Sequence, residues 1–423
     1  MNIDALMNFN CLLASSEKEQ FEKDLEEKVR YKRRLDNLPD VPFPNGINNV
    51  AEYFILLVKE GIRRRYGSPS SKIFIRIQQE MKAILSTGFE KYFLLWWKIA
   101  AICRENEVLY FCSSEANSSI ICYVLEITDI DPLEHNLLFE YFFNSKMGHV
   151  HGWWGENALI SFCVSQNIIQ YLQDSFGSEC VAMYNNESNL AEIIITKKPV
   201  DEKEDFFCFI FSMPDENDSD WSNFSLISSR SFHAISYSDP KIIEQVKEDR
   251  EEIYSKCHLK KLLGKININS FSDLLIIEAI SYFDDDVANE IVSDLIKRKT
   301  MGYKPLFKGA EKILDETYGR ILFEEQFILL VQMVTGWDVE KTYRFFLDIS
   351  YENTFNVKLE FIECAKKSGV STKDSEELYN TLLEVSHKLM GKAFILPWVQ
   401  DMWRKSYLRA HYPDAFISKE IEK

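Results

Sequence analysis

Residues 127–144 read ITDIDPLEHNLLFEYFFN. The first six place Asp129 and Asp131 two residues apart, just ahead of Pro132. In an extended segment the two carboxylates share a face and suit a divalent cation. The same six residues also read as a turn before a helix, with the Asp side chains accepting backbone N–H groups. Both readings stand on these residues alone.

Working outward, residues 120–125 (IICYVL) form a β-rich run, as do 193–196 and 206–211. Residues 93–104 read as a buried helix. Two more helices precede it, at about 48–65 and 71–87, separated by Tyr66-Gly67-Ser68-Pro69. Serines at 68–71 supply a cap for the second. Residues 38–46 (LPDVPFPNG) hold three prolines and a glycine and break the chain. Residues 1–37 carry dense mixed charge, with Ser16 and Glu19 fitting a capping box. Phe21, Leu25 and Val29 recur every four residues, so this arm is one amphipathic helix with a basic end at 30–34. On the far side, 167–176 has helical spacing and stops at Gly177. Residues 181–189 read as a short connection and 213–222 (MPDENDSDWS) as an acidic loop. From Asp239 onward the pattern is helical, with breaks at 302–305, Gly336 and Gly369.

The chain has 423 residues, 46% of them hydrophobic and 27% charged, which excludes a wholly disordered or fibrous protein. Net charge is −17, so its surface repels phosphate backbones except at local basic clusters. Those clusters are Arg63, Arg64 and Arg65, then Lys197 and Lys198, then the 30–34 end of the arm. The apolar run at 92–103 contains Lys98 and is too short to span a bilayer. The N-terminus lacks a basic stretch before its apolar residues, which argues against a signal peptide. Nine cysteines without a C-x-x-C pair read as reduced thiols, hence a cytoplasmic chain without a membrane partner.

Few spacings suggest chemistry. His149-Val150-His151 places two rings on one side of a strand, where Cys163 could complete a zinc site; a polar loop is the other reading. Asp284, Asp285 and Asp286 either attract a cation or favour the N-terminus of the helix at 287–297. There is no Walker loop, G-x-G-x-x-G, G-x-S-x-G or H-E-x-x-H.

Longer blocks carry a resemblance. ITDIDPLEHNLLFEYFFN is similar to a signature of the bacterial C-family polymerases, the DNA polymerase III alpha subunits. Residues 38–67 resemble the family's approach to its palm, and 88–108 (GFEKYFLLWWKIAAICRENEV) the palm helix that follows. Residues 270–279, 317–337 (TYGRILFEEQFILLVQMVTGW) and 406–416 (SYLRAHYPDAF) resemble successive segments of the fingers. The resemblance implies an α+β fold: a nucleotidyltransferase-like palm of the beta-type polymerases, followed by helical fingers. It divides the chain into the arm at 1–37, a helical lead-in at 38–84, a degenerate palm at 85–235 and a fingers-like domain at 236–423. Residues 175–200 join palm segments that the family separates by a thumb, so no thumb is expected. The family's N-terminal phosphoesterase-like domain is likewise not expected.

Departures from the family fall on its chemistry. The family cradles a triphosphate with Gly-Pro-Gly-Arg-Gly-Ser; here the stretch is Tyr110-Phe111-Cys112-Ser113-Ser114-Glu115. The glycines that let backbone N–H groups approach phosphate are gone, serine replaces the arginine, and Glu115 adds a like charge. Ser119 keeps its identity. Aligning residues 161–163 with the end of the metal-binding strand puts Asn157, Leu159 and Ser161 at its aspartates, and Ser225 matches the aspartate of a later strand. Glu156 is the single acid between Ser145 and Cys163. The family's two Mg²⁺ ions need bridging carboxylates, so no metal cofactor is expected. In the fingers, Lys392 is the retained member of a nucleotide-contacting segment. The expectation is a polymerase-like chain without catalysis, acting through protein partners, with nucleic-acid binding weak or absent. The alternatives are a non-specific nucleic-acid binder, or an active nucleotidyltransferase using Glu156, Asp129 and Asp131.

Overall fold

Asn49 starts the helix α1 (Val50–Tyr66) by accepting the Glu52 N–H at 2.9 Å, while the Glu52 carboxylate accepts from Asn48 N. These reciprocal bonds satisfy donors that the first turn leaves open. Phe54, Val58 and Ile62 follow at four-residue spacing, all buried. Ser70 caps α2 (Ser71–Thr87), which ends at Gly88. In α3 (Glu90–Glu105) the run from Tyr92 to Trp96 is buried on every side, as expected of a helix apolar all round.

The computed structural model describes residues 35, 38–108, 110–143, 160–164, 167–185, 191–195, 208–212, 236–253, 260–351 and 355–413. The amphipathic helix and basic end expected within 1–34 and the acidic loop at 213–222 lie outside them. The chain forms two compact units, 1–233 and 234–423. No helix among the described residues is long and apolar enough to cross a membrane.

The first unit contains a small mixed sheet. Its strands are β1 (Tyr110–Cys112), β2 (Ile160–Val164), β3 (Val181–Asn185), β4 (Ala191–Ile195) and β5 (Cys208–Ser212), in the order β1-β2-β5-β4-β3. β2 and β5 run parallel; the other neighbours are antiparallel. Ile160, Phe162 and Val164 alternate along β2 into the core beneath α3. There Trp96 meets Phe162 at 4.6 Å between ring centroids, and Tyr92 Oη accepts from Ile160 N. Ser161 and Cys163 take the opposite face. Of the short helices in this unit, α5 (Phe139–Phe142) precedes β2, and α6 (Ile169–Phe176) follows it and ends at Gly177.

Two expectations are corrected. Residues 120–125 are not a strand: Ile120–Val124 form a short helix, α4. Ser119 caps it by accepting from Cys122 N at 3.1 Å, and the Glu80 carboxylate of α2 accepts from Ile120 N and Ile121 N. Tertiary hydrogen bonds thus override the β preference of a β-branched run. Residues 181–189 are not merely a connection: Val181–Asn185 is the edge strand β3, in register with β4 from Val181↔Ile195 to Asn185↔Ala191. The expected strands at 193–196 and 206–211 occur as β4 and β5, shifted by one or two residues.

The second unit is helical among its described residues, from α7 (Pro240–Ile253) and α8 (Lys260–Leu263) through α9 (Phe271–Ser281) and α10 (Asp285–Met301). Asp285 and Asp286 occupy the first turn of α10, where negative charge suits the helix dipole. The short α11 (Glu311–Leu314) leads to α12 (Glu324–Thr335), α13 (Val339–Tyr351), α14 (Phe355–Lys367), α15 (Thr372–Val385) and α16 (Lys392–His411). Gly336 ends α12 in the left-handed region, its N–H returning to Gln332 O. Phe345 and Phe361 stack at 5.2 Å between α13 and α14, and Trp403 of α16 meets Phe271 of α9 edge-on.

Candidate functional site

β1 delivers the chain into the segment that stands where a phosphate cradle is expected. Cys112 pairs with Phe162, so the next residue, Ser113, lies opposite Ser161. Ser113 N donates to Ser161 O at 2.9 Å, and the two hydroxyls meet at 2.9 Å. A 3₁₀ turn, Glu115–Ser118, follows. Asn117 is fully buried and draws the loop onto itself: its Nδ2 donates to Cys112 O and Ser114 O, and its Oδ1 accepts from Thr128 Oγ1. Ser114 Oγ accepts from Ala116 N. Cys112 O, Ser114 O and Ala116 N are thus satisfied by side chains of the loop itself.

Ser119 caps α4 and donates to Glu80 Oε2 at 2.7 Å. Glu80 is fully buried and is held also by Arg76 at 2.6 Å, whose guanidinium donates further to Ser118 O and Leu137 O. Burial pushes the Glu80 carboxyl up, against the Arg76 charge and the Ser119 and Ile120 donors that pull it down. A carboxylate of the chain thus takes the first N–H groups of α4. Sequence reading missed Glu80 because it lies 39 residues before Ser119, with no local pattern joining them.

The acidic pair of 127–144 is engaged by α1. Asp129 accepts from Arg65 at 3.0 Å, and Asp131 accepts from Tyr66 Oη at 2.7 Å and from Leu133 N at 2.9 Å. The turn reading holds for Asp131, which accepts a backbone N–H, whereas Asp129 takes the Arg65 guanidinium. The Arg65 guanidinium also lies over the Tyr123 ring, 4.5 Å from its centroid. Arg64, itself exposed, pairs with Glu126 at 2.9 Å. Arg64 and Arg65, expected to face nucleic acid, therefore point at acids of their own unit. In the second unit, the buried Lys392 pairs with Glu316 at 2.6 Å. Its backbone N–H and that of Ala393 donate to the fully buried Glu325, which fixes the start of α16.

His149, His151, Glu156, Asn157, Leu159, Lys197, Lys198 and Ser225 lie outside the described residues. Among the described residues, no group of three or more His, Cys, Asp and Glu side chains could hold a metal ion.

Two family models match this chain in succession. The bacterial DNA polymerase III alpha NTPase domain matches residues 52–197, and the bacterial DNA polymerase III alpha subunit finger domain matches 229–369. The chain is a relative of the bacterial C-family DNA polymerases. DNA polymerase III subunit alpha of Borreliella burgdorferi is 34% identical over 170 residues, which is 37% of this chain and 14% of that protein. The Bacillus subtilis subunit is 32% identical over 157 residues, 36% of this chain and 14% of the other. The Staphylococcus epidermidis subunit aligns with 94% of this chain at 22% identity, over 47% of its own length. The chain thus spans less than half the length of these curated relatives. The NTPase match covers β1 to β4 and every residue of the cradle segment, and the finger match covers α7 to α14. The helical units and small sheet of this polymerase relative are consistent with palm and finger domains.

Proposed function

We propose that this polymerase relative does not catalyse nucleotidyl transfer and acts as an interaction or regulatory module. The Ser113–Ser161 contact carries the reading. By the family resemblance these positions belong to an arginine of the cradle and an aspartate of the metal-binding strand. Opposite charges at both are replaced by hydroxyls that satisfy each other, so neither retains a charge for phosphate or metal. Asn157, Leu159 and Ser225 extend the pattern, and Glu156 alone remains between Ser145 and Cys163. These donors do not fit a pair of magnesium ions, since one carboxylate cannot supply the paired bridging ligands. Glu80 adds support, because the donors at the start of α4 are already taken by a carboxylate. The reading includes the lack of a thumb, supported by a stretch of only five residues (186–190) between β3 and β4, and a cytoplasmic location.

Primer extension with pure protein, a primed template and all four deoxynucleotides, in Mg²⁺ or Mn²⁺, tests it. Loss of metal-ion stabilisation costs roughly 10³–10⁵ in rate, so no extension is expected. Templated extension that Glu156→Gln abolishes would overturn the proposal.

A further inference from the structure

From the last turns of α10 to the start of α11, the second unit displays an exposed strip that mixes cations with apolar side chains. Met301 is 84% exposed, Leu306 38% and Met333 of α12 42%. Lys297 is exposed one turn before Met301 on the same helix. Residues 303–308 then alternate: Tyr303, Pro305 and Phe307 are half-buried, and Lys304, Leu306 and Lys308 face solvent. Met333 borders the strip, its sulfur 3.5 Å from where a Cβ on Gly309 would stand.

The acids of this neighbourhood have partners within the unit. Asp294 accepts from Arg298 and Arg320, Asp315 from Tyr303, and Glu316 pairs with Lys392. Glu311 folds back to accept from Gly309 N at 2.8 Å. Among the described residues, no ion pair engages Lys297, Lys304 or Lys308. Glu311 and Asp315 keep their charge, since their donors are neutral, but the exposed Lys297, Lys304, Lys308 and Lys312 outnumber them, so a chain of net charge −17 carries a locally positive strip around exposed thioethers and a leucine.

We propose that this strip docks an acidic peptide segment of a partner protein, one that sets apolar side chains between its carboxylates. Lys304, Leu306 and Lys308 present two cations and an apolar side chain to solvent within one short bent segment, which matches a peptide that carries acidic and apolar residues close together. Methionine adapts to varied apolar side chains, which suits a peptide groove. Nucleic acid is the poorer match. The cations are lysines without the planar fork that reads phosphate bidentately, and the rings of Tyr303 and Phe307 are half-buried rather than presented for base stacking. The inference rests on the reading of the chain as an interaction module. Peptide binding does not report catalysis, so the two readings fail separately.

The test is fluorescence anisotropy of the full chain with three labelled probes: a dodecapeptide of alternating Asp and Leu, one of alternating Asp and Ser, and oligo-dT. The Asp/Leu peptide should bind roughly tenfold more tightly than the Asp/Ser peptide, from partial burial of its leucines. Lys304→Glu with Lys308→Glu should abolish binding of both peptides. Met301→Ser with Leu306→Ser should erase the preference between them and keep the weak charge-driven binding. All four positions are exposed, and circular dichroism matching the parent confirms that the variants fold. Equal binding of the two peptides, tighter binding of oligo-dT, no peptide binding, or indifference to both double variants would each overturn the proposal.

Discussion

Replacing Gly61 with alanine tests how tightly the first unit is packed. Gly61 is buried on α1, and a Cβ there would stand 2.0 Å from Val124 O and 2.7 Å from Val124 C. Ordinary contact begins at 3.4 Å, so α1 and α4 would have to part by 3.4 − 2.0 = 1.4 Å. Two effects oppose each other. Alanine gains about 1 kcal/mol of helix propensity over glycine. Overpacking costs about 1–3 kcal/mol. The atoms met are backbone, which no rotamer change can move aside. The opposite end of α4 is tied to Glu80 through Ser119, Ile120 and Ile121, so shifting the helix also strains three hydrogen bonds. The cost therefore belongs near the top of its range, for a net loss of about 1–2 kcal/mol. Thermal unfolding should fall by roughly 2–8 °C if the unit melts as one cooperative body. Hydrogen exchange resolved by peptide should show lost protection in α1 and α4 first. Unchanged or raised stability in Gly61→Ala would refute the close approach as the reason for glycine.

Other outcomes follow from buried and paired groups. Burial pushes the Cys103 thiol up to about 12 and the Cys112 thiol to about 11, so both should resist alkylation at mildly alkaline pH until the chain is unfolded. The Asp239 carboxyl is held below its usual range, first by the Lys241 N–H and then by His411, so its stabilisation is present at neutral pH and is lost as pH falls through the lowered value. Asp239→Asn should therefore lower stability at pH 7 and flatten the acid limb of the unfolding profile. Primed or single-stranded DNA should bind weakly and with a log–log salt slope of roughly −3 to −5, because few cations are available to displace counterions. Sub-micromolar binding that survives physiological salt would contradict this, and a charge reversal at Arg63 would show whether that residue contributes.

How far the primary structure speaks depends on the range of the interaction. Helices α1 and α2 were legible because the stop at Tyr66-Gly67-Ser68-Pro69 and the serine cap at 68–71 are local signals, and Ser70 is the cap observed; the Asn49 cap and the Gly88 stop are equally local and were overlooked. The breaks at Gly336 and Gly369 were legible for the same reason, since a positive φ is a single-residue property. The missing acids around Glu156 needed no coordinates, because a carboxylate that is not encoded cannot bind metal. Non-local partners were out of reach. The run at 120–125 has β-branched composition, and only the buried Glu80, brought in from α2, makes its first turn helical. Lys392 kept its identity in the chain, but the fold gives its ammonium to Glu316, 76 residues away. Arg65 read as a surface cation until folding set Asp129 and Tyr123 against it. Ser113 and Ser161 are ordinary serines 48 residues apart, and the register of β1 on β2 turns them into a pair. Spacing and composition carry forces that act within a few residues; which charges and hydroxyls cancel one another is decided when the chain closes on itself.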